Sequence, residues 1–269
     1  MLASVCSRSE AEPVEGCPLT HLFIFKRRSL KIGHISAFIV IEKIRISAKP
    51  PNIQFAMKYL SIYLLMVTLC CAGDFQPLFD QELSNADYPE GVWTRDAEGN
   101  LTASEDEIIW TTKEYESFVL CLEFKNSEGT NSGVFFYASD TGNWVTDSVE
   151  VQIADDYAER WSKRPRSWQA GAFFGRQGAY KRAVRPPGEW NQMVIIAAGP
   201  MISVHLNGER VNGFDLRDFT SAQSNPDGST PPSWLSKPPA DLPLKGKIGF
   251  QGKHGNAPIH LRNIEIMEL

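Results

Sequence analysis

Glu150 and Gln152 stand two residues apart in Val149-Glu150-Val151-Gln152-Ile153, a run whose other members are aliphatic. Residues i and i+2 of a strand share a face, so the carboxylate and the amide project together while Val149, Val151 and Ile153 face the other way. A carboxylate can take or give a proton, and an amide beside it can hold a polar ligand in register. The same pair would also suit a solvated outer strand. Asn131, in Asn131-Ser132-Gly133-Val134, offers a second amide.

The histidine best suited to chemistry is His254, in Gly252-Lys253-His254-Gly255-Asn256. A glycine-flanked turn leaves it free to reach a site, and its near-neutral pKa suits a general base or a metal ligand. His205 alternates against Ile202, Val204 and Leu206 and is expected on the same polar surface as Glu150. His260 has no evident partner. Arg176 and Lys181, in and just after Gly175-Arg176-Gln177-Gly178, could polarise a carbonyl or bind hydroxyls. From Asp74 onward no HxH, HExxH or CxxC spacing occurs, so a tight structural metal site is not expected.

Strands must position these groups. Phe118, Leu120, Leu122 and Phe124 alternate, as do Ile202, Val204 and Leu206, and then Ile248 and Phe250. Val134-Phe135-Phe136-Tyr137 and Met193-Val194-Ile195-Ile196 read as strands buried on both faces. Asn207-Gly208 between two strand-like runs is a hairpin signal. No amphipathic helix longer than two turns is evident. The pattern predicts an all-β fold, an antiparallel β-sandwich with long loops. Residues 155–189, rich in Arg and aromatics, and the Ser/Pro-rich stretch 220–243 interrupt the rhythm as loops. Trp190 and Cys121 are expected in the core, while Trp144, Trp161 and Trp168 fall in loop-like stretches.

The first quarter of the chain stands apart. Met57-Lys58, the apolar stretch Tyr59 to Leu69 and Cys70-Cys71-Ala72 form a secretory signal peptide pattern over 57–73, with cleavage expected after Ala72. An apolar run of about eleven residues is too short to span a bilayer comfortably. Residues 1–56 would then precede the true start, or form a genuine N-terminal extension. Cys70 and Cys71 also allow a lipoprotein anchor, disfavoured because Leu69 rather than a small residue precedes Cys70. Residues 74–269 form one domain with 18 Lys and Arg against 28 Asp and Glu, a net −10. So acidic a domain is a poor general binder of nucleic acid or anionic membrane. Cys121 is its one cysteine, so no internal disulfide can form there.

Several segments in order carry a family resemblance: Phe75-Gln76-Pro77-Leu78-Phe79-Asp80, Asn131-Ser132-Gly133-Val134, Glu150-Val151-Gln152-Ile153, Pro187-Gly188-Glu189-Trp190-Asn191, Leu206-Asn207-Gly208, Gly249-Phe250-Gln251 and Arg262-Asn263-Ile264. Together they resemble the 3-keto-disaccharide hydrolase family, also known as DUF1080. The resemblance implies a concanavalin A-like jelly roll and a secreted or periplasmic protein that acts on oxidised di- or oligosaccharides or glycosides. The chain departs from the family at Gly171-Ala172-Phe173-Phe174-Gly175, where a tyrosine is usual, and at Gln81, where a glycine is.

The chemistry so implied needs a base, an electrophile and an acid. A ketone at C3 acidifies the C2 proton and lies β to the C1 glycosidic oxygen. Loss of the C2 proton gives an enolate that expels the C1 substituent, and addition of water completes a net hydrolysis. Glu150 and His254 are the candidate catalytic residues, with Gln152, Asn131, Arg176, Lys181 and His205 as substrate-binding candidates. A divalent metal ion could serve as the electrophile. Retaining glucanases of similar fold need a second carboxylate about 5–5.5 Å away. The run Glu150-Val151-Gln152-Ile153-Ala154 has none, and Asp155 and Asp156 could act only from the loop. A carbohydrate-binding module or lectin-like protein without catalysis is the alternative.

Overall fold

The computed structural model describes residues 74–269 and, before them, the backbone of a short hairpin, β1 (Leu30–Ile32) and β2 (Ile35–Ala37). The signal-peptide pattern at 57–72 lies outside the described residues. Thirteen further strands follow: β3 (Gln76–Pro77), β4 (Ala86–Asp87), β5 (Trp93–Arg95), β6 (Leu101–Ala103), β7 (Ile108–Tyr115), β8 (Phe118–Asn126), β9 (Asn131–Ala138), β10 (Val149–Ala154), β11 (Trp190–Ala198), β12 (Met201–Leu206), β13 (Glu209–Asp215), β14 (Gly246–Gln251) and β15 (Ile259–Glu268). They pair antiparallel into a five-stranded sheet, β10-β9-β14-β7-β4, and an eight-stranded one, β13-β12-β11-β8-β15-β6-β5 with β3 beside β15.

The two sheets face each other over one apolar core, giving an antiparallel β-sandwich. Leu120, Leu122, Phe124, Met193, Ile195 and Val204 enter it from the larger sheet, and Val134, Phe136, Val149, Val151, Ile248 and Phe250 from the smaller. The β12–β13 hairpin turns at Asn207 (φ +53°) and Gly208 (φ +82°), two positive φ values that match strand twist. Among the described residues the helical pieces are single turns, and no helix is long and apolar enough to cross a membrane.

Three expectations change. In β11, Met193, Ile195 and Ala197 are buried while Val194 and Ile196 are only partly so, since the far face of that sheet has no layer over it. Val134 to Tyr137 are buried on both faces, as the pattern predicted, because aromatic side chains cover β9 from outside. Cys121 shares the outer face of β8 with Glu123 and Lys125 and is half-buried rather than core. Trp190 also lies on that outer face, between the Arg262 guanidinium (3.8 Å) and the Lys125 ammonium (4.9 Å). A strand that presents one apolar stripe leaves its alternate positions outside whatever their polarity.

Candidate functional site

The outer face of the five-stranded sheet is built in cross-strand rows. Glu150 is opposite Phe135, Phe135 opposite Gly249, Gly249 opposite Trp110, and Trp110 opposite Asp87. At about 4.8 Å per strand, this row spans roughly 19 Å, the length of a short oligosaccharide. A second row pairs Gln152 with Gly133 and Gln251 with Ile108.

Two glycines shape this face. A Cβ on Gly249 would fall 2.4 Å from the Trp110 ring, so the indole lies directly across the glycine as a flat apolar floor. A Cβ on Gly133 would lie 2.5 Å from Glu150 Oε1, so the carboxyl occupies space that any larger residue would fill. Phe135 lies between the two, packed on Trp110 (ring centroids 6.0 Å) and on Trp144 (4.8 Å).

The Phe135–Trp144 contact divides the face into two hollows. The larger, about 400 Å³, is lined by Asp87, Tyr88, Asp106, Trp110, Trp144, Gln251 and His254 among others. The smaller, about 20 Å³, is lined by Glu150 together with Phe135, Ser148, Phe174, Arg176 and Lys237. That is the volume of about one water molecule.

Glu150 is held by its backbone. The segment 171–174 runs beside β10 as an extra edge, with Phe174 N–H donating to Glu150 O at 3.0 Å, Gln152 N–H to Ala172 O at 3.0 Å and Gly171 N–H to Gln152 O at 2.9 Å. Glu150 is half-buried, its side chain borders the small hollow, and its carboxyl has no hydrogen-bond or ion-pair partner among the described residues. Desolvation pushes its pKa up to about 8. A carboxyl with reduced hydration and no compensating donor is suited to proton transfer.

Gln152 and Asn131 meet as expected, with Gln152 Nε2 donating to Asn131 Oδ1 at 2.7 Å. Gln152 is 1% exposed and its Oε1 has no partner among the described residues, a buried acceptor left open. His254 forms an antiparallel bridge with Asn131, and its Nδ1 contacts the Asp106 carboxylate. Gln251 Nε2 donates to the same carboxylate at 3.1 Å. Asp106 therefore orients both His254 and Gln251 at the mouth of the larger hollow.

Other expected residues lie elsewhere. Arg176 lines the small hollow, but it is 3% exposed and its guanidinium donates to the carbonyls of Ser221 (3.2 Å), Leu235 (2.8 Å) and Lys237 (3.0 Å). It holds the 220–243 excursion against the sheet, with its donors turned to carbonyls rather than to a ligand. Lys181 forms an ion pair with Glu209 at the β13 edge. His205 stands in β12 of the other sheet beside Ser203 Oγ (3.2 Å), so it does not share the Glu150 surface. Burial lowers its pKa, with Arg210 adding to the effect. Asp155 and Asp156 are buried and accept backbone N–H bonds from Gly129 (2.8 Å) and Ala170 (3.0 Å), which makes them loop-builders.

Asp106, Trp110, Gln251 and Lys237 emerge from the structure alone. Gln251 was open to period-two reading, since Ile248 and Phe250 assign the alternate positions to the core. Asp106 precedes β7 and had no such signal. Among the described residues no group of three or more His, Cys, Asp or Glu side chains gathers to hold a metal ion. Asp106 and His254 form a pair without a third such donor beside them among the described residues.

Comparison with known proteins agrees with this geometry. Residues 74–267 match the family model of the 3-keto-alpha-glucoside-1,2-lyase-like domain. The crystal structure of a proposed glycosyl hydrolase from Parabacteroides distasonis ATCC 8503 is 50% identical, aligning over 73% of this chain and 100% of its own with a TM-score of 0.71. A second proposed glycosyl hydrolase from the same organism, 20% identical over 74% of this chain and 95% of its own, has a TM-score of 0.59 and shares the fold. No curated protein matches the sequence.

Proposed function

This chain belongs to the 3-keto-alpha-glucoside-1,2-lyase-like family, and from that premise we propose that it cleaves 3-keto-glycosides by removing the C2 proton and releasing the C1 substituent. Glu150 is the base. Its ionised carboxylate takes the C2 proton, the C2–H electron pair becomes the enolate of the C3 ketone, and its return expels the C1 oxygen as the C1=C2 bond forms. The leaving oxygen needs a proton, which the Asp106-oriented His254 supplies from the larger hollow. Water adds at C1 and a proton returns to C2, giving net hydrolysis. Asn131, half-buried and oriented by the buried Gln152, holds a hydroxyl group of the sugar.

The observation that carries this reading is the solitary Glu150 carboxyl, half-buried at the small hollow and without a partner among the described residues, where desolvation pushes its pKa up to about 8. A carboxylate of that basicity is a far better acceptor of a carbon-bound proton than an ordinary one. The Trp110 floor and the adjoining groove provide room for a neutral aglycone. The signal-peptide pattern at 57–72 supports a reaction outside the cytoplasm.

Incubation with 3-keto-trehalose, 3-keto-cellobiose and their unoxidised parents tests the reading. Release of glucose from the keto-sugars alone, with solvent deuterium entering at C2, is the expected result. Cleavage of the unoxidised sugars would overturn it, and binding of keto-sugars without turnover would make the protein a lectin.

A further inference from the structure

The stretch 160–185 carries Arg160, Lys163, Arg164, Arg166, Arg176, Lys181, Arg182 and Arg185 and not one Asp or Glu. Eight of the 18 cations of a domain with net charge −10 thus fall in one loop region. Ion pairing does not account for them all. Lys163 pairs with Glu159 and Lys181 with Glu209, and Arg176 is buried on carbonyls. Arg164 instead lies over the Trp168 ring at 5.2 Å, and Arg166 donates to Tyr180 O at 2.9 Å, both exposed and without a carboxylate partner among the described residues.

Aromatic residues lie beside these two arginines, Trp168 against Arg164 and Tyr180 through its backbone carbonyl against Arg166. Trp168 packs on Phe174 (5.1 Å) and on Trp234 (5.9 Å, edge-on), and Trp234 remains 51% exposed and Tyr180 55% exposed. The rings are held rigidly. Gly178 packs so tightly on Arg166 that a Cβ would sit 2.7 Å from the Arg166 Cβ, and the Tyr180 hydroxyl is anchored to Gly213 O at 2.7 Å. Phe174 also lines the Glu150 hollow, so this platform lies just outside it.

We propose that Arg164, Arg166, Trp168, Tyr180 and Trp234 form a second, non-catalytic binding surface for an anionic glycan such as a polyuronate. Pyranose rings present C–H faces that stack on indole and phenol, and their carboxylates meet planar guanidinium forks. Nucleic acid would also meet the charge. The favoured occupant is a glycan because two guanidinium groups are few for a nucleic-acid footprint, while the exposed Trp234 and Tyr180 offer ring faces to pyranose C–H groups. The surface would hold the protein on an acidic polymer while the groove turns over a smaller sugar.

Affinity electrophoresis of the full chain through gels containing polygalacturonate, dextran or single-stranded DNA tests this. Retardation by polygalacturonate, with little by dextran or DNA, is expected, and raising NaCl to about 0.5 M should largely remove it, because the Debye length then falls below 5 Å. Trp234→Ala and the pair Arg164→Gln and Arg166→Gln should each weaken the interaction at least about tenfold and leave thermal stability and keto-disaccharide turnover within about twofold of the parent. Equal retardation by DNA, none by polygalacturonate, or undiminished retardation of stably folded variants would overturn the proposal. Turnover is measured separately, so failure here is distinct from failure of the proposed reaction.

Discussion

The outer faces of the two sheets treat their polar groups in opposite ways. On the eight-stranded sheet they satisfy one another: Arg262 Nε and Asn263 Nδ2 both reach Glu123 Oε2 (2.7 and 2.9 Å), Arg262 and Lys125 flank Trp190, and His205 meets Ser203. On the five-stranded sheet half-buried Glu150 has no partner, and the buried Gln152 Oε1 none either, among the described residues. Leaving a buried polar atom such as Gln152 Oε1 unpaired costs stability, and this contrast is what favours the five-stranded face as the proposed site.

The sharpest way to break the comparison is to remove the Glu150 carboxylate. Glu150→Gln should lower turnover of 3-keto-disaccharides by about 10³-fold, the scale of a lost general base, with sugar binding preserved. Residual activity above a tenth of the parent would shift the base elsewhere. His205→Ala, on the self-satisfied face, should change turnover less than about twofold. Gly133→Ala should come next in size. The added Cβ displaces the Glu150 carboxyl rather than backbone, and a misplacement of about 1 Å costs on the order of 10²-fold. Circular dichroism and melting close to the parent would accompany that loss; a collapsed melting temperature would instead make Gly133 a packing residue. Asp106→Asn should cost on the order of tenfold, one oriented hydrogen bond to His254 and one to Gln251. An unchanged kcat would remove His254 from the reaction.

Much of this was legible before any coordinates. Period-two alternation specified β8, β10, β12 and β14 because each presents one stripe to a core, and it put Glu150 and Gln152 on one face of β10, where Gln152 meets Asn131. Alternation reports which side of a strand a residue takes but not which sheet the strand joins. His205 was therefore placed on the correct kind of face and the wrong sheet. Arg176 and Lys181 looked available because a sequence does not display the carbonyls of Ser221, Leu235 and Lys237, or Glu209, that engage them. Asp106 was invisible for the converse reason: its partner His254 lies 148 residues away.

The smallest effect expected is also the most direct reading of why the Glu150 face differs. The carboxyl has a folded pKa near 8 against an ordinary value of 4.5. Between these values the folded protein holds a proton that the unfolded chain has released, so stability falls as pH rises through that window and the loss is complete above about 8. Glutamine does not titrate. The melting temperature of Glu150→Gln minus that of the parent should therefore grow between pH 5 and pH 9, by at least about 3 °C for a domain of this size. In the same window the parent's turnover should climb, roughly tenfold per pH unit below 8, because only the ionised form accepts the C2 proton. A melting difference that does not vary with pH would mean that Glu150 is solvated like any surface glutamate, and the asymmetry between the two faces would then lose its energetic basis.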